Sequence, residues 1–100
     1  MVRHIVMWKF LEYAEGADRQ ANLNRARDLL LSLKGVIPEI VDLEVGIAAP
    51  TSDQSFHLAL NSRFGSYEAL GAYQKDPAHL RVVEFLRKVQ SAKAVADFEV

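Results

Sequence analysis

The stretch "VRHIVMWKF", Val2–Phe10, decides the fold because it is the least ambiguous strand in the sequence. More than half of it consists of β-branched and aromatic residues, which favour strands. Side chains of a strand alternate between two faces. The even-numbered positions form the more apolar face and comprise Val2, His4, Val6, Trp8 and Phe10. The odd-numbered positions form a mixed face of Arg3, Ile5, Met7 and Lys9. We expect the even-numbered face, with His4 on it, to pack against helices.

A helix and two strands are predicted next. Asp18 is a suitable N-cap and Gly35 a suitable end for the helix. Its apolar positions recur at spacings of three and four, at Leu23, Ala26, Leu30 and Leu33. Residues 40–48 alternate as a half-buried strand does, with the inward positions Val41, Leu43, Val45 and Ile47. Residues 55–64 form the next strand, with the inward positions Phe56, Leu58, Leu60 and Phe64.

Two consecutive helices and a last strand complete the chain. Ser66 is the expected N-cap of the first helix. Asp76 and Pro77 open the second helix, which reaches about Gln90, and residues 92–100 form the strand. This order is the split βαβ arrangement of ferredoxin-like domains. We therefore predict an α+β fold, in one domain over residues 1–100, with an antiparallel sheet that carries helices on one face.

The composition excludes several classes of function. Twelve Lys and Arg residues balance thirteen Asp and Glu residues, without a basic block, so a nucleic-acid partner is not expected. No apolar run approaches the roughly 18 residues of a membrane span. The N-terminus lacks a basic region followed by a continuous apolar stretch, so a cytoplasmic location is expected. The absence of cysteine excludes disulfides, thiol nucleophiles and cysteine-based metal sites.

The face of the sheet that carries no helices is predicted to be mixed. Its expected basic residues are Arg3, Lys9, Arg63 and Lys93, and its expected acidic residues are Asp42, Glu44, Asp97 and Glu99. Ile5, Met7 and Ala59 are assigned to the same face. A solvated sheet face and a two-fold homodimer interface between two sheets both fit this pattern.

The three histidines differ in their expected surroundings. His57 lies on the polar side of its strand and is expected at the surface or an interface. His4 lies on an apolar strand face, where a structural role is the commoner one. His79 occupies the third position of a helix that Asp76 caps, three residues before Val82, and should face the sheet. The positive end of the helix dipole favours neutral imidazole there, which is the form that a general base needs.

Tyr73 is expected to share the interior with His79, because it ends the preceding helix facing inward. Its hydroxyl would need a hydrogen-bond partner when buried. His4, Tyr73 and His79 around an apolar pocket would form a proton-transfer set without a metal or another cofactor. No inward Asp or Glu is predicted near the histidines, which disfavours a metal site.

The sequence resembles the stress-responsive dimeric α/β barrel family, often called Dabb. The matching segments are "VRHIVMWKF", "FGSYEALGAYQKDPAH" and "VADFEV", which together span almost the whole chain. The resemblance implies a ferredoxin-like protomer that forms a homodimer through the helix-free sheet face.

An enzymatic branch of that family, similar to olivetolic acid cyclase, closes polyketides by aldol condensation. The resemblance implies His79 as general base, with His4 and Tyr73 as hydrogen-bond donors to the oxygens. The apolar wall would comprise Val6, Trp8, Leu30, Leu60 and Leu86. Leu30 stands approximately where the cyclases have a second tyrosine, and Asp76 stands where they have a histidine before the proline.

Three classes of function remain open at this point. The first is a cofactor-free lyase or cyclase that acts on a carbonyl compound. The second is a non-catalytic stress protein or binder of a small hydrophobic ligand. The third is an oxygenase, with or without haem, because other dimeric α/β barrels perform that chemistry.

Overall fold

The computed structural model describes residues 1–100 and consists of one four-stranded sheet, one small hairpin and three helices. In chain order the elements are β1 (Val2–Phe10), β2 (Tyr13–Ala14), β3 (Ala17–Asp18), α1 (Arg19–Leu31), β4 (Ile40–Ile47), β5 (Leu58–Phe64), α2 (Tyr67–Lys75), α3 (Pro77–Val89) and β6 (Gln90–Glu99). None of the helices is long and apolar enough to span a membrane.

The sheet is antiparallel throughout and has the strand order β4-β5-β1-β6. β1 is therefore an inner strand, paired with β5 on one side and β6 on the other. Its even-numbered side chains are all buried, and they meet the buried face of α1, which includes Leu23, Ala26 and Leu30. The predicted ferredoxin-like α+β fold is confirmed.

A tight hairpin between β1 and α1 replaces what the sequence marked only as a turn. Glu15 and Gly16 have φ angles of 51° and 75°, the left-handed values that two-residue hairpin turns of this kind require. Asn22 is buried in α1 and donates from Nδ2 to the carbonyl of Ala14 at 3.0 Å. The hairpin is thus fastened to the helix that follows it.

The predicted faces of β4 are wrong at one residue. The pairing register with β5 shifts between Ile40 and Asp42, which is a β-bulge, and Val41 in the bulge is 46% exposed. A bulge adds one residue to a strand and reverses the parity of the residues before it. Ile40 is therefore buried in place of Val41, whereas Leu43 is buried as predicted.

The boundaries of α1 and β5 also differ from the prediction. α1 ends at Leu31, and Gly35 lies in the turn that follows, with a φ of 88°. β5 begins at Leu58 rather than at residue 55.

The predicted face of β6 is wrong for its charged residues. Strand residues that lie directly opposite each other share a face, and Trp8 pairs with Lys93, His4 with Asp97 and Val2 with Glu99. Lys93, Asp97 and Glu99 therefore lie on the helix side of the sheet. Ala92, Ala94, Ala96 and Phe98 occupy the helix-free face instead. β6 is an edge strand, and most of its residues are exposed on both faces, so the usual rule that apolar residues face inward fails there.

The start of α3 depends on Asp76. Its carboxylate accepts a hydrogen bond from the N–H of Ala78 at 2.8 Å, and Pro77 occupies the first turn. Replacing an N-cap by alanine typically costs about 1 kcal/mol. We predict that Asp76→Ala lowers the free energy of unfolding by about that amount, which corresponds to roughly 4–8 °C in Tm for a chain of this size.

Urea denaturation at fixed protein concentration measures this loss. The matched control is Asp53→Ala, which changes an exposed loop aspartate and should leave the unfolding free energy within about 0.5 kcal/mol of the parent value. Equal stability of Asp76→Ala and Asp53→Ala would show that the cap does not hold the start of α3.

Candidate active site

A cavity of about 110 Å³ lies between the sheet and the α2–α3 segment. Its wall contains all eight residues that the sequence marked as catalytic or pocket-lining, namely His4, Val6, Trp8, Leu30, Leu60, Tyr73, His79 and Leu86. A larger and more open groove of about 350 Å³ lies along α1 and α3 and contains none of them. The smaller cavity is therefore the candidate site.

The break between α2 and α3 brings Tyr73 and His79 together. α2 ends at Lys75, and Asp76 adopts an extended conformation with φ −62° and ψ 134° before α3 begins. The ring centroids of Tyr73 and His79 are 4.3 Å apart, with 44° between the ring planes. The Tyr73 ring also lies 6.2 Å from that of His4. The three rings converge on one space, as the sequence led us to expect.

The hydrogen bonding of His79 defines its tautomer. Its Nδ1 lies 3.2 Å from the carbonyl oxygen of Gln74, and a carbonyl can only accept, so Nδ1 carries the hydrogen. In the neutral ring the lone pair then lies on Nε2. Burial lowers the pKa of His79 below its ordinary value of 6.5; the charges of His4 and Lys93 act in the same direction, and the bond to Gln74 opposes them. The neutral ring, which can accept a proton at Nε2, is thus favoured at pH 7.

Two buried hydrogen-bond donors in the cavity wall have no partner within the chain. They are the Tyr73 hydroxyl and the Trp8 Nε1–H. Tyr73 is fully buried and Trp8 is 3% exposed. Burial raises the pKa of Tyr73 to about 12, which keeps its hydroxyl protonated and able to donate. An unsatisfied buried donor costs about 1–3 kcal/mol, and both donors belong to residues of the cavity wall.

His4 is paired with a carboxylate that the sequence analysis missed. Its Nδ1 lies 2.5 Å from Oδ1 of Asp97, so the carboxylate fixes the orientation of the ring. The prediction that no inward Asp or Glu lies near the histidines is wrong, because Asp97 was assigned to the opposite face. The antiparallel pairing of β1 with the chain's last strand could have found it, since that pairing sets His4 opposite Asp97.

Lys93 and Gln74 are further polar residues of the wall that the sequence did not single out. Lys93 lies on the same face of β6 as Asp97, so the pairing of β6 with β1 would also have identified it. Gln74 contributes through its backbone carbonyl, which a side-chain pattern does not reveal.

His57 lies outside the cavity and has a structural contact. The backbone N–H of Phe10 donates to His57 Nδ1 at 2.8 Å. The backbone N–H of His57 donates to the carbonyl of Trp8 at 2.8 Å. These bonds join the end of β1 to the segment before β5.

The wall of one small cavity contains a proton acceptor and two hydrogen-bond donors that have no partner. Nε2 of His79 can take a proton, and the Tyr73 and Trp8 donors can stabilise negative charge on an oxygen. Pockets for drug-sized ligands have volumes of roughly 300–1,000 Å³, whereas an engineered cavity of roughly 150 Å³ accommodates benzene. The cavity of about 110 Å³ therefore suits a group no larger than about six non-hydrogen atoms. No group of three or more His, Asp or Glu side chains is placed to hold a metal ion.

Comparison with solved structures shows the same fold in proteins of diverse description. A dimeric ferredoxin-like protein of unknown function from Bacteroides fragilis is 22% identical, with a TM-score of 0.85 over 99% of this chain and 95% of that one. The hydroxynitrile lyase of Passiflora edulis is 19% identical, with a TM-score of 0.77 over 99% and 92%. A candidate antibiotic biosynthesis monooxygenase from Nitrosomonas europaea is 11% identical, with a TM-score of 0.78 over 100% and 98%.

These identities are too low to transfer an activity, and no curated protein matches the sequence. A family model does match, and it covers residues 2–100. The segments "VRHIVMWKF", "FGSYEALGAYQKDPAH" and "VADFEV", which carry the resemblance, all lie inside that range. The chain therefore belongs to the stress-responsive A/B barrel domain family.

Proposed function

We propose that the protein is a cofactor-free lyase or cyclase that acts on a small carbonyl compound, with His79 as general base. The observation that carries the proposal is the pairing of His79, whose lone pair lies on Nε2, with the partnerless hydroxyl of Tyr73 at a ring separation of 4.3 Å. A base and an oxyanion donor side by side are what proton abstraction next to a carbonyl requires.

The proposed reaction starts with the neutral His79 ring. Nε2 removes a proton, either from a carbon next to a carbonyl or from a hydroxyl whose loss of a proton lets an adjacent carbon–carbon bond break. Negative charge then develops on the substrate oxygen, as an enolate in the first case and as an alkoxide in the second. The Tyr73 hydroxyl and the Trp8 Nε1–H donate to that oxygen, and His4, held by Asp97, supplies a third hydrogen-bonding group. In the cyclase case the enolate carbon attacks a second carbonyl of the same substrate and forms the carbon–carbon bond, and protonated His79 gives its proton to the new alkoxide. In the lyase case the alkoxide becomes a carbonyl as the carbon–carbon bond breaks, and protonated His79 gives its proton to the carbon that leaves with the electron pair.

The cavity size favours a small reacting group over a long polyketide. Trp8 is buried in the wall, and Leu30 stands where the similar cyclases have a second tyrosine. The large Trp8 side chain fills space that a substrate tail would need, and Leu30 lacks the hydroxyl that the second tyrosine of the cyclases provides. We therefore place the proposed substrates among carbonyl compounds of about six to eight non-hydrogen atoms, part of which extends through the mouth.

Two other functions remain as alternatives. The same cavity could bind a small ligand without turning it over, as a stress or ligand-binding protein would. The monooxygenase-like fold neighbour keeps oxygenase chemistry as the other alternative. A haem group is larger than most drug-sized ligands, and about 110 Å³ does not accommodate it. The lyase proposal is preferred because the wall supplies a base, His79, beside the hydroxyl of Tyr73.

We also propose that two copies of the chain associate through the helix-free sheet face. One half of that face is polar and internally paired, with Arg63 bound to Asp42 at 3.4 Å and Arg3 to Asn61 at 3.0 Å. The other half is apolar and comprises Ile5, Met7, Ala94, Ala96 and Phe98. Met7 is 37% exposed and Phe98 is 41% exposed. A two-fold axis can bury this apolar half against its own copy, and the neighbouring Bacteroides protein is dimeric.

The His79 proposal predicts a large loss of activity in His79→Ala. General bases contribute roughly 100- to 10,000-fold to rates, so kcat should fall at least about 100-fold. Turnover of a small β-diketone, a β-hydroxyketone and a cyanohydrin is followed by proton NMR against buffer alone. His57→Asn is the matched control, because it changes a histidine outside the cavity and keeps an acceptor for the Phe10 N–H. It should retain the parent rate.

Wild-type rates equal to buffer for all three compound classes would remove the lyase proposal and favour the non-catalytic ligand binder. If His79→Ala retains the wild-type activity, the proposal that the protein is an enzyme stands, but His79 is not its general base.

The dimer proposal predicts that wild-type protein elutes at twice the chain mass in chromatography with light scattering, and that Phe98→Glu shifts it to the monomer. A glutamate buried in an apolar interface loses hydration without gaining a partner. Tyr13→Glu is the matched control, since Tyr13 is a 68% exposed aromatic residue in the β2–β3 hairpin, away from that face. A monomeric wild type at micromolar concentration would contradict the interface.

A further inference from the structure

The charges in the cavity wall are of one sign. Arg87 of α3 and Lys93 of β6 both line the cavity, and the wall includes no Asp or Glu side chain. The two carboxylates that contact residues of this region are already engaged: Asp97 binds His4 Nδ1, and Asp76 accepts from the N–H of Ala78 at the start of α3. A ligand in the cavity would therefore meet two cationic groups without a competing free anion in the wall.

The two cations have no ion-pair partner in the chain, whereas four of its twelve basic residues do. Arg27, Lys34, Arg63 and Lys88 each lie within 4 Å of a carboxylate. None of the ion pairs or side-chain hydrogen bonds in the structure involves Arg87 or Lys93. Lys93 lines the same cavity as His79, and its positive charge contributes to lowering the pKa of that ring.

The deeper part of the cavity is rich in donors as well. The Tyr73 hydroxyl and the Trp8 Nε1–H lack partners, and both belong to buried side chains. The cavity thus has two uncharged donors at its buried wall and two exposed cations that line it from α3 and β6. Such an arrangement matches a molecule with a carbonyl at one end and an anionic group at the other.

From this arrangement we infer that the cavity selects small anionic carbonyl compounds, that is, short oxo acids, whose carboxylate is bound by Lys93 and Arg87. The carbonyl oxygen of such a compound accepts from Tyr73 and Trp8, beside His79. The inference rests on the proposed function for the reaction that follows binding, and it names the substrate class of that site. The recognition step itself is independent of turnover.

The single tryptophan of the chain provides a direct probe of occupancy. Because Trp8 is the only tryptophan, its indole N–H gives one cross-peak in a proton–nitrogen-15 spectrum, and this N–H faces no acceptor of the chain. Acetoacetate and pentane-2,4-dione are matched ligands, since they have similar size and dicarbonyl geometry but differ in charge at pH 7. Each is titrated into the labelled protein while the indole peak is followed.

We predict that acetoacetate shifts the indole peak at lower concentration than pentane-2,4-dione does. Lys93→Gln and Arg87→Gln should each lower the affinity for acetoacetate about two- to five-fold, the range of a partly exposed ion pair. Neither substitution should change the affinity for the dione. Lys88→Gln is the control, because Lys88 lies next to Arg87 in α3 but outside the wall, and it should bind both ligands as the parent does. Added salt should lower the affinity for acetoacetate and leave the affinity for the uncharged dione unchanged.

Equal or tighter binding of the dione, an indole peak that acetoacetate does not move, or an unchanged acetoacetate affinity in both wall variants would overturn the inference. Charge-selective binding without turnover in the kinetic assay would leave the inference standing and remove only the lyase proposal. Turnover of neutral carbonyl compounds with no preference for the anion would overturn the inference and leave the lyase proposal standing.

Discussion

The candidate site depends on one local constraint, the capped break between α2 and α3. Pro77 cannot continue the hydrogen bonding of α2, and the Asp76 carboxylate satisfies the N–H of Ala78 so that a new helix begins at once. The chain therefore changes direction at Asp76 and continues at once as α3. Tyr73 from the end of one helix and His79 from the start of the next reach the same space. The carbonyl of Gln74, just before the break, then accepts from Nδ1 of His79 and sets which ring nitrogen is free.

Sequence patterns predicted the fold and most of the cavity, and they failed where pairing geometry decides the outcome. Alternation identified the inner face of β1, and helical spacing identified that of α1, because both elements bury one apolar side. Alternation assigned Val41 to the wrong face, because a bulge changes the parity of a strand without a clear signal in the sequence. It also misplaced Asp97 and Lys93, because an edge strand with alanines at every second position has no strong apolar side. Only the register with β1 assigns those residues to the cavity face.

The polar groups of the cavity are costly to keep in a domain of this size. Two buried donors without partners cost about 1–3 kcal/mol each, against a total stability of roughly 5–15 kcal/mol for typical domains. Phenylalanine in place of Tyr73 would avoid one of these costs without losing the apolar packing against Phe64. Unsatisfied groups beside a neutral histidine and two unpaired cations are consistent with selection for binding or chemistry rather than for packing alone.

The state of the His79 ring tests the central claim most directly. Nitrogen-15 NMR of the imidazole distinguishes the two neutral tautomers and the charged ring, and a pH titration gives the midpoint. Because burial lowers the pKa, the neutral ring should persist as pH falls through 6.5 and become protonated only below it. The account predicts hydrogen on Nδ1 and a free Nε2 at pH 7. Hydrogen on Nε2 of the neutral ring, or a midpoint above 6.5, would contradict it.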